Sequence, residues 1–314
     1  MIEGKHLLSR RQAVGSGVAM AFGVAGCLSG EDGRVNRSDG TAVNGSFFVL
    51  YDLARQVAGD ELSVEDLVPI GAHGDDWEPS PGIIEEIAEA DIFVYIDGFR
   101  GWSDAVARSL PSDYPEVTVI DAADGIDYIS GESGRGEDPH FWLDPVLARE
   151  AVENIRAGFI EADPDNASVY ESNAGEYIER LDEVHRQFVE AMDHRQKDTL
   201  VIGSHDSFQY WTQRYELSIY SPVGISPDGE PTAREMEEVT TIINEHGLGY
   251  ILYDMYEGMN YAESLQEETG TELLPLSPIE ATTEEQLEQD MGYVEHMLEI
   301  NLETVRQALE VSDA

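Results

Sequence analysis

From Ser46 onward, short apolar runs alternate with longer segments in which apolar residues return every three or four positions. "SFFVLY", "LSVEDLVP", "DIFVYID" and "EVTVID" read as strands in the first half, and "TLVIGS", "LSIYSPV", "GYILYD" and "TELLPLS" in the second. Helical patterns lie between them, among them "GIIEEIAEA", "PVLAREAVENIRAGFIEA", "TAREMEEVTTIINEHG" and "YAESLQEETG". Alternation of this kind predicts parallel sheets covered by helices, because a parallel crossover needs a covering element. It occurs in two sets.

Joining the sets is residues 165–195, which contain no proline. Tyr170, Ala174, Tyr177, Leu181, Val184, Phe188 and Ala191 recur at alternating spacings of four and three, the mark of one helical face. At the usual rise this rod is about 45 Å long, the length of a small domain. The expected fold is therefore α/β: two lobes, each a mainly parallel sheet flanked by helices, bridged by one long rigid helix. The segments divide as an N-terminal lobe over 46–163, the linking helix over 164–197 and a C-terminal lobe over 198–314. His185 and His194 on the rod have no partner at ligand spacing and read as solvated or core-edge residues. "EEQLEQDMGYVEHMLEINLETVRQALE" reads as one closing helix, and His296 within it takes the same reading.

The N-terminus follows a different pattern. A paired Arg10-Arg11 after Ser9 precedes a short, small-residue apolar run that ends in Val24-Ala25-Gly26-Cys27. The run is too short to span a bilayer comfortably and ends in a processing-like site, so 1–27 reads as a signal segment. Its arginine pair resembles a twin-arginine export signal, and Val-Ala-Gly-Cys resembles a lipobox. Cys27 is the single cysteine of the chain, so it cannot close an internal disulfide, and lipid attachment at a new N-terminus gives it a purpose. Residues 28–45 are rich in Gly, Ser, Asp and Asn and read as a flexible tether to the outer face of the membrane.

Composition adds the solvent. The chain carries 64 Asp and Glu against 18 Lys and Arg, a formal net charge of -46. Such a surface suits a protein kept soluble in concentrated salt, where screening is short-ranged. It excludes nucleic acid as a partner, because displacing counterions from phosphates needs a basic footprint.

Ligands of an open parallel sheet bind beyond the carboxyl ends of its strands. His73 and Asp75 follow the strand-like run that ends near Pro69, His140 follows "VTVID" within "EDPHFWLDP", and His205 follows the first strand of the second half in "VIGSHDSF". Histidines at strand ends in both halves are the arrangement expected of a cation site between lobes. In "DPHFWLDP", Asp144 and Pro145 form a good helix start, which stiffens the connection carrying His140. Asp206 or Ser204 is placed to cap a helix after His205.

"LYDLARQVAGD", "WEPSP", "DPHFWLDP", "SHDSF", "EETG" and "NLETVRQALE" together resemble the metal-binding lipoproteins of zinc and manganese ABC importers, the cluster A-I solute-binding proteins. The resemblance runs over most of residues 46–310, and "DPHFWLDP" is its most specific phrase. It implies a divalent transition metal held between two lobes and delivered to a membrane permease with its ATPase. His140 and His205 match the family's ligand positions. Where relatives carry a His two positions before the aromatic of the "WEP" phrase, this chain has Asp75, with His73 two residues earlier. Either Asp75 coordinates, or the loop bends so that His73 reaches the metal. Ser277 stands where relatives often show an acid, so Glu280 or Asp254 is left to supply that oxygen, and Glu78 is assigned to orienting its neighbours. A set of three imidazoles suits zinc, whereas two imidazoles with two carboxylates is a harder site that manganese shares.

Three classes of function are thus in view. A hydrolytic zinc site would need an open position and a general base, and the chain has no His-Glu-x-x-His helix or Gly-x-Ser-x-Gly elbow. An adhesion or scaffold protein with a degenerate site is the other rival. The expectation is a monomeric, lipid-anchored, extracytoplasmic receptor for zinc, with manganese next, that performs no enzymatic reaction.

Overall fold

A computed structural model describes residues 41–72, 77–130, 137–225 and 229–312. The first lobe is built on a four-stranded sheet of β1 (Ala42–Gly45), β2 (Ser63–Asp66), β3 (Ile92–Tyr95) and β4 (Thr118–Asp121), in the order β2-β1-β3-β4. All its pairings are parallel, with Val43 opposite Val64 on one side and Ile92 on the other. Crossovers are made by α1 (Phe48–Ala58), α2 (Ile83–Glu89) and α3 (Gly101–Asp113). The strand order reverses between β1 and β3, the position at which open α/β sheets leave a crevice at their carboxyl edge.

Two sequence expectations change here. "SFFVLY" is not a strand: Phe48 opens α1, and the strand is the preceding "AVNG". A continuous apolar run reads equally as buried strand or buried helix, and only Leu53, Ala54 and Val57, buried three and four residues apart, reveal the helical period. The tether therefore cannot extend to residue 45, since β1 begins at Ala42. Gly45 allows the abrupt strand-to-helix corner, because a Cβ there would lie 2.7 Å from the backbone nitrogen of Tyr51. The signal, Cys27 and residues 28–40 lie outside the described residues.

After β4, a two-stranded antiparallel ribbon of β5 (Ile129–Ser130) and β6 (Glu137–Asp138) leads into α4 (Pro145–Ala162). The rod is α5 (Ala167–Asp193), 27 residues or about 40 Å. All seven of its predicted face positions are buried. His194 is exposed and His185 is half-buried, its ring stacked on Tyr215.

The second lobe repeats the first lobe's logic. Its strands are β7 (Thr199–Val201), β8 (Ser218–Tyr220), β9 (Tyr250–Asp254) and β10 (Glu272–Leu276), and its helices include α6 (Tyr210–Tyr215), α7 (Ala233–His246) and α8 (Asn260–Thr269). The parallel pairs β7–β8 and β9–β10 are joined by a parallel bridge between Ile202 and Leu252, which sets the order β8-β7-β9-β10.

The closing segment is not one helix. It consists of α9 (Glu284–Glu288), then α10 (Tyr293–Glu295), a π-helical stretch His296–Leu302, and α11 (Glu303–Ala308). The break falls where Asp290 has a φ of 53° and where Gly292 passes Asp52, whose carboxylate a Cβ would meet at 2.7 Å. Tyr293 fixes the crossing: its amide donates to Asp52 Oδ2 at 2.9 Å and its hydroxyl to the carbonyl of Trp142 at 2.6 Å. The rod is thus not the sole bridge between the lobes.

Candidate metal centre

His140 stands on a stiff support. Asp138 ends β6, Pro139 restricts the next step, and a short 3-10 turn, Phe141–Leu143, hands over to α4. Asp144 caps that helix by accepting from the amide of Val146 at 2.9 Å, with Pro145 in its first turn. One oxygen of Asp138 takes both the amide of His140, at 2.9 Å, and ring Nδ1, at 2.7 Å. Phe99 and Trp142 flank the imidazole. With Nδ1 engaged, Nε2 is the nitrogen left to face inward, and it has no hydrogen-bond partner among the described residues.

His205 follows β7 as the strand-end rule requires, but the expected cap does not form. α6 starts only at Tyr210 and receives no side-chain cap. Ser204 Oγ instead accepts from the amide of Asp254 at 3.0 Å, and Asp206 accepts from Gln209 Nε2 at 2.7 Å. Nδ1 of His205 lies 2.5 Å from Glu257 Oε1 and 3.9 Å from Asp254 Oδ2. The ring centroids of His140 and His205 are 5.4 Å apart.

Glu280 completes the cluster. It follows β10 by a turn at 277–280, is fully buried, and places Oε1 3.5 Å from Nε2 of His140 and 3.9 Å from Nε2 of His205. Ligand atoms of these three residues all fall within 4.8 Å of one another, a distance one cation can bridge. Asp254 sits behind His205, on the Nδ1 side, and one of its oxygens accepts from the amide of Tyr256 at 2.8 Å. Glu257 was not anticipated from the sequence. It follows the end of β9, so the strand-end rule that singled out the histidines applied to it as well.

His73 and Asp75 lie outside the described residues. Their loop is tied at its start by the amide of Gly71, which donates to the carbonyl of Thr282 at 2.9 Å, two residues beyond Glu280. At its far side the carbonyl of Trp77 accepts from Arg100 Nη2 at 3.3 Å, and Trp77 packs edge-on against Trp102. Glu78 is exposed.

The electrostatics couple the rings to the acids. Burial by itself lowers the affinity of His205 for a proton, but the hydrogen bond and charge of Glu257, then the charges of Glu280 and Asp254, prevail and push its pKa up to about 10. His140 is opposed by burial in the same way and raised by Asp138, then by Glu280. Without metal, a proton on a ring therefore balances the buried carboxylates, and a dication can replace it. A cleft of about 550 Å³ opens beside His140, lined by Phe99, Arg100, Glu137, Glu230 and Glu235. A smaller recess of about 280 Å³ reaches His205 from its other side, past Tyr256 and Glu257.

His296 departs from its sequence reading. It is fully buried, with Nδ1 2.8 Å from Ser277 Oγ, and burial pushes its pKa down to about 4. It belongs to the support of the Glu280 turn rather than to the solvated surface.

Comparison with known proteins identifies the family. The family model described as "Zinc-uptake complex component A periplasmic" matches residues 43–308. The high-affinity zinc uptake system protein ZnuA of Bacillus subtilis is 30% identical over 288 residues, covering 87% of this chain and 89% of that protein. The zinc-binding lipoprotein AdcA of Streptococcus pneumoniae is 30% identical over 290 residues, covering 88% of this chain and 56% of AdcA, so the chain spans little more than half of that relative. The crystal structure of the Zn(II)-bound ZnuA-like domain of that AdcA superposes with a TM-score of 0.74 at 29% identity, over 86% of this chain and 99% of that domain.

Proposed function

The chain belongs to the zinc-uptake complex component A family, and from that membership and the cluster at its centre we propose that it captures zinc between its lobes with His140, His205 and Glu280. It is the zinc-binding, solute-binding component of an ABC uptake system. The observation that carries the ligand assignment is convergence: Nε2 of His140 and Nε2 of His205 face one buried carboxylate, while a second carboxylate holds each Nδ1. Ligating histidines are set in this way, because the acid fixes the tautomer and raises the basicity of the coordinating nitrogen. A fourth donor comes from the loop of His73 and Asp75, and manganese is the second metal in order of fit. Asp254, on the Nδ1 side of His205, supports the ring rather than the ion.

Delivery follows from the same reading. Residues 1–27 act as the export signal, Cys27 receives the lipid, and the segment before β1 tethers a monomeric receptor to the outer face of the membrane beside its permease and ATPase. The acidic surface keeps it soluble in concentrated salt. It performs no reaction on its cargo: capture and hand-over are the mechanism. Metal analysis of the mature protein purified in high salt, with zinc titrations of wild type and of His140→Ala and His205→Ala, tests the reading. One zinc per chain, with binding lost in both variants, is expected; undiminished affinity in both would remove the assigned centre.

A further inference from the structure

The turn that presents Glu280 holds a strained residue. Ile279 has a φ of 62°, in the left-handed region that β-branched side chains avoid unless their surroundings force it. Ile279 and Glu280 are both fully buried, so the conformation is set by protein contacts rather than by solvent.

Those contacts converge on Ser277. Its amide donates to Asn301 Oδ1 at 2.8 Å, and Asn301 Nδ2 donates back to its carbonyl at 2.9 Å, so one side chain grips both sides of the residue. Its hydroxyl accepts from the amide of Ile279 at 3.2 Å and lies 2.8 Å from His296 Nδ1. Trp142 Nε1 holds the next carbonyl, that of Pro278, at 2.8 Å. Ser277, His296 and Asn301 are all fully buried, where a polar group left without a partner would be costly.

His296 and Asn301 are five residues apart and span the π-helical stretch His296–Leu302. On an α-helix such residues point about 140° away from each other. In π geometry the hydrogen bonds run from each residue to the fifth along, which returns that residue to the same face. The π register is what lets both side chains meet one serine.

We propose that His296 and Asn301, aligned by the π-helical register, are positioning residues for metal binding: through Ser277 they hold the left-handed Ile279 turn that aims Glu280 at Nε2 of His140 and His205. This rests on the reading of Glu280 as a ligand. Released from the clamp, Ile279 would relax toward negative φ and swing the carboxylate away from the rings.

The test compares wild type, Asn301→Ala, Ser277→Ala and Glu280→Gln, and both clamp substitutions in the Glu280→Gln background. Zinc affinity is read by competition with a chromophoric chelator, coordination by the visible spectrum of the cobalt(II) form, and folding by circular dichroism. Asn301→Ala is expected to weaken zinc about 10- to 100-fold and to alter the cobalt spectrum, with Ser277→Ala moving both in the same direction by less. In the Glu280→Gln background neither substitution should weaken zinc further. If Asn301→Ala does not fold, Ser277→Ala, which deletes one hydroxyl, carries the test. Folded clamp variants that bind zinc within about twofold of wild type, or losses that persist in full without Glu280, overturn the positioning role. Unchanged zinc affinity in Glu280→Gln itself would instead remove Glu280 as a ligand, which separates the two failures.

Discussion

Glu257 places a carboxylate oxygen 2.5 Å from Nδ1 of His205, on the side of the ring opposite the cluster with Glu280. That contact commits Nδ1 to donating and leaves the Nε2 lone pair for metal. Glu257→Gln keeps the size of the side chain but removes the charge that favours this tautomer. It is expected to weaken zinc by about 10- to 100-fold without abolishing binding, as loss of an outer-shell acid does elsewhere. Isothermal titration against a competing chelator reads the change, and wild-type affinity in this variant would show that the acid does not set the ring.

Proton and metal compete for the same nitrogens, so affinity and stability should move in opposite directions with pH. His205 has a folded pKa raised from 6.5 to about 10, so its protonation stabilises the metal-free protein fully below the unfolded value and ceases to do so as pH rises through the folded one. Between about pH 6.5 and about pH 9.5 the melting temperature of the metal-free protein should fall more steeply for wild type than for His205→Gln. Over the same window zinc affinity should rise, by up to about tenfold per pH unit for each proton displaced. A wild-type melting profile parallel to that of the variant would rule out this linkage.

Asp52 ties the closing segment to the first lobe. It is 1% exposed and accepts from Arg55 Nη2 at 3.2 Å, the hydroxyl of Tyr177 at 3.2 Å and the amide of Tyr293 at 2.9 Å. Asp52→Ala leaves the last two donors buried without this acceptor, and each orphaned group costs roughly 1–3 kcal/mol. Urea denaturation should show a loss of about 3 kcal/mol; a loss under about 0.5 kcal/mol, the level of an ordinary surface change, would mean that the crossing is held by packing alone.

A net charge of -46 repels itself most strongly when counterions are scarce. Dilution from about 2 M to about 0.1 M potassium chloride lengthens the screening distance several-fold and should lower the melting temperature by at least several degrees. Scanning calorimetry at the two ionic strengths decides it. A melting temperature independent of salt would remove the basis for reading the acidity as adaptation to brine.

Much of the architecture was legible because it rests on local periodicity. The rod showed its buried face in the spacing of Tyr170 through Ala191, and seven of the eight strand runs contain a strand. The failures have long-range causes. "SFFVLY" is buried from Ser46 through Leu50 and so lacks a period, and the closing helix breaks where Gly292 admits Asp52, far off in sequence, which takes the amide of Tyr293. In the centre, His140 and His205 stood out because each follows a strand-like run within a phrase of the family, "DPHFWLDP" or "SHDSF". Glu257 did not, because one acid among 64 carries no signal until the fold brings it to a ring. Asp254 and Glu280 looked equivalent as candidates; only the geometry puts one on the Nδ1 side of His205 and the other between the two Nε2 atoms.

Zinc favours four donors, and in the proposed centre His140, His205 and Glu280 would supply three. In the proposed centre the fourth comes from the loop of His73 and Asp75, which follows the bond from Gly71 to Thr282, close to Glu280 in sequence. Tetrahedral geometry has room for one of the two side chains, not both, so the loss on substitution should be unequal. His73→Ala and Asp75→Ala, titrated with zinc and with manganese, are expected to differ, with one near wild type and the other weakened by orders of magnitude. The metal preference should follow the residue that matters. An imidazole from His73 makes a three-histidine site in which manganese competes poorly, whereas a carboxylate from Asp75 makes a harder site in which it competes well. Equal, partial losses in both variants would mean that neither side chain is a ligand and that the loop acts only as a cover.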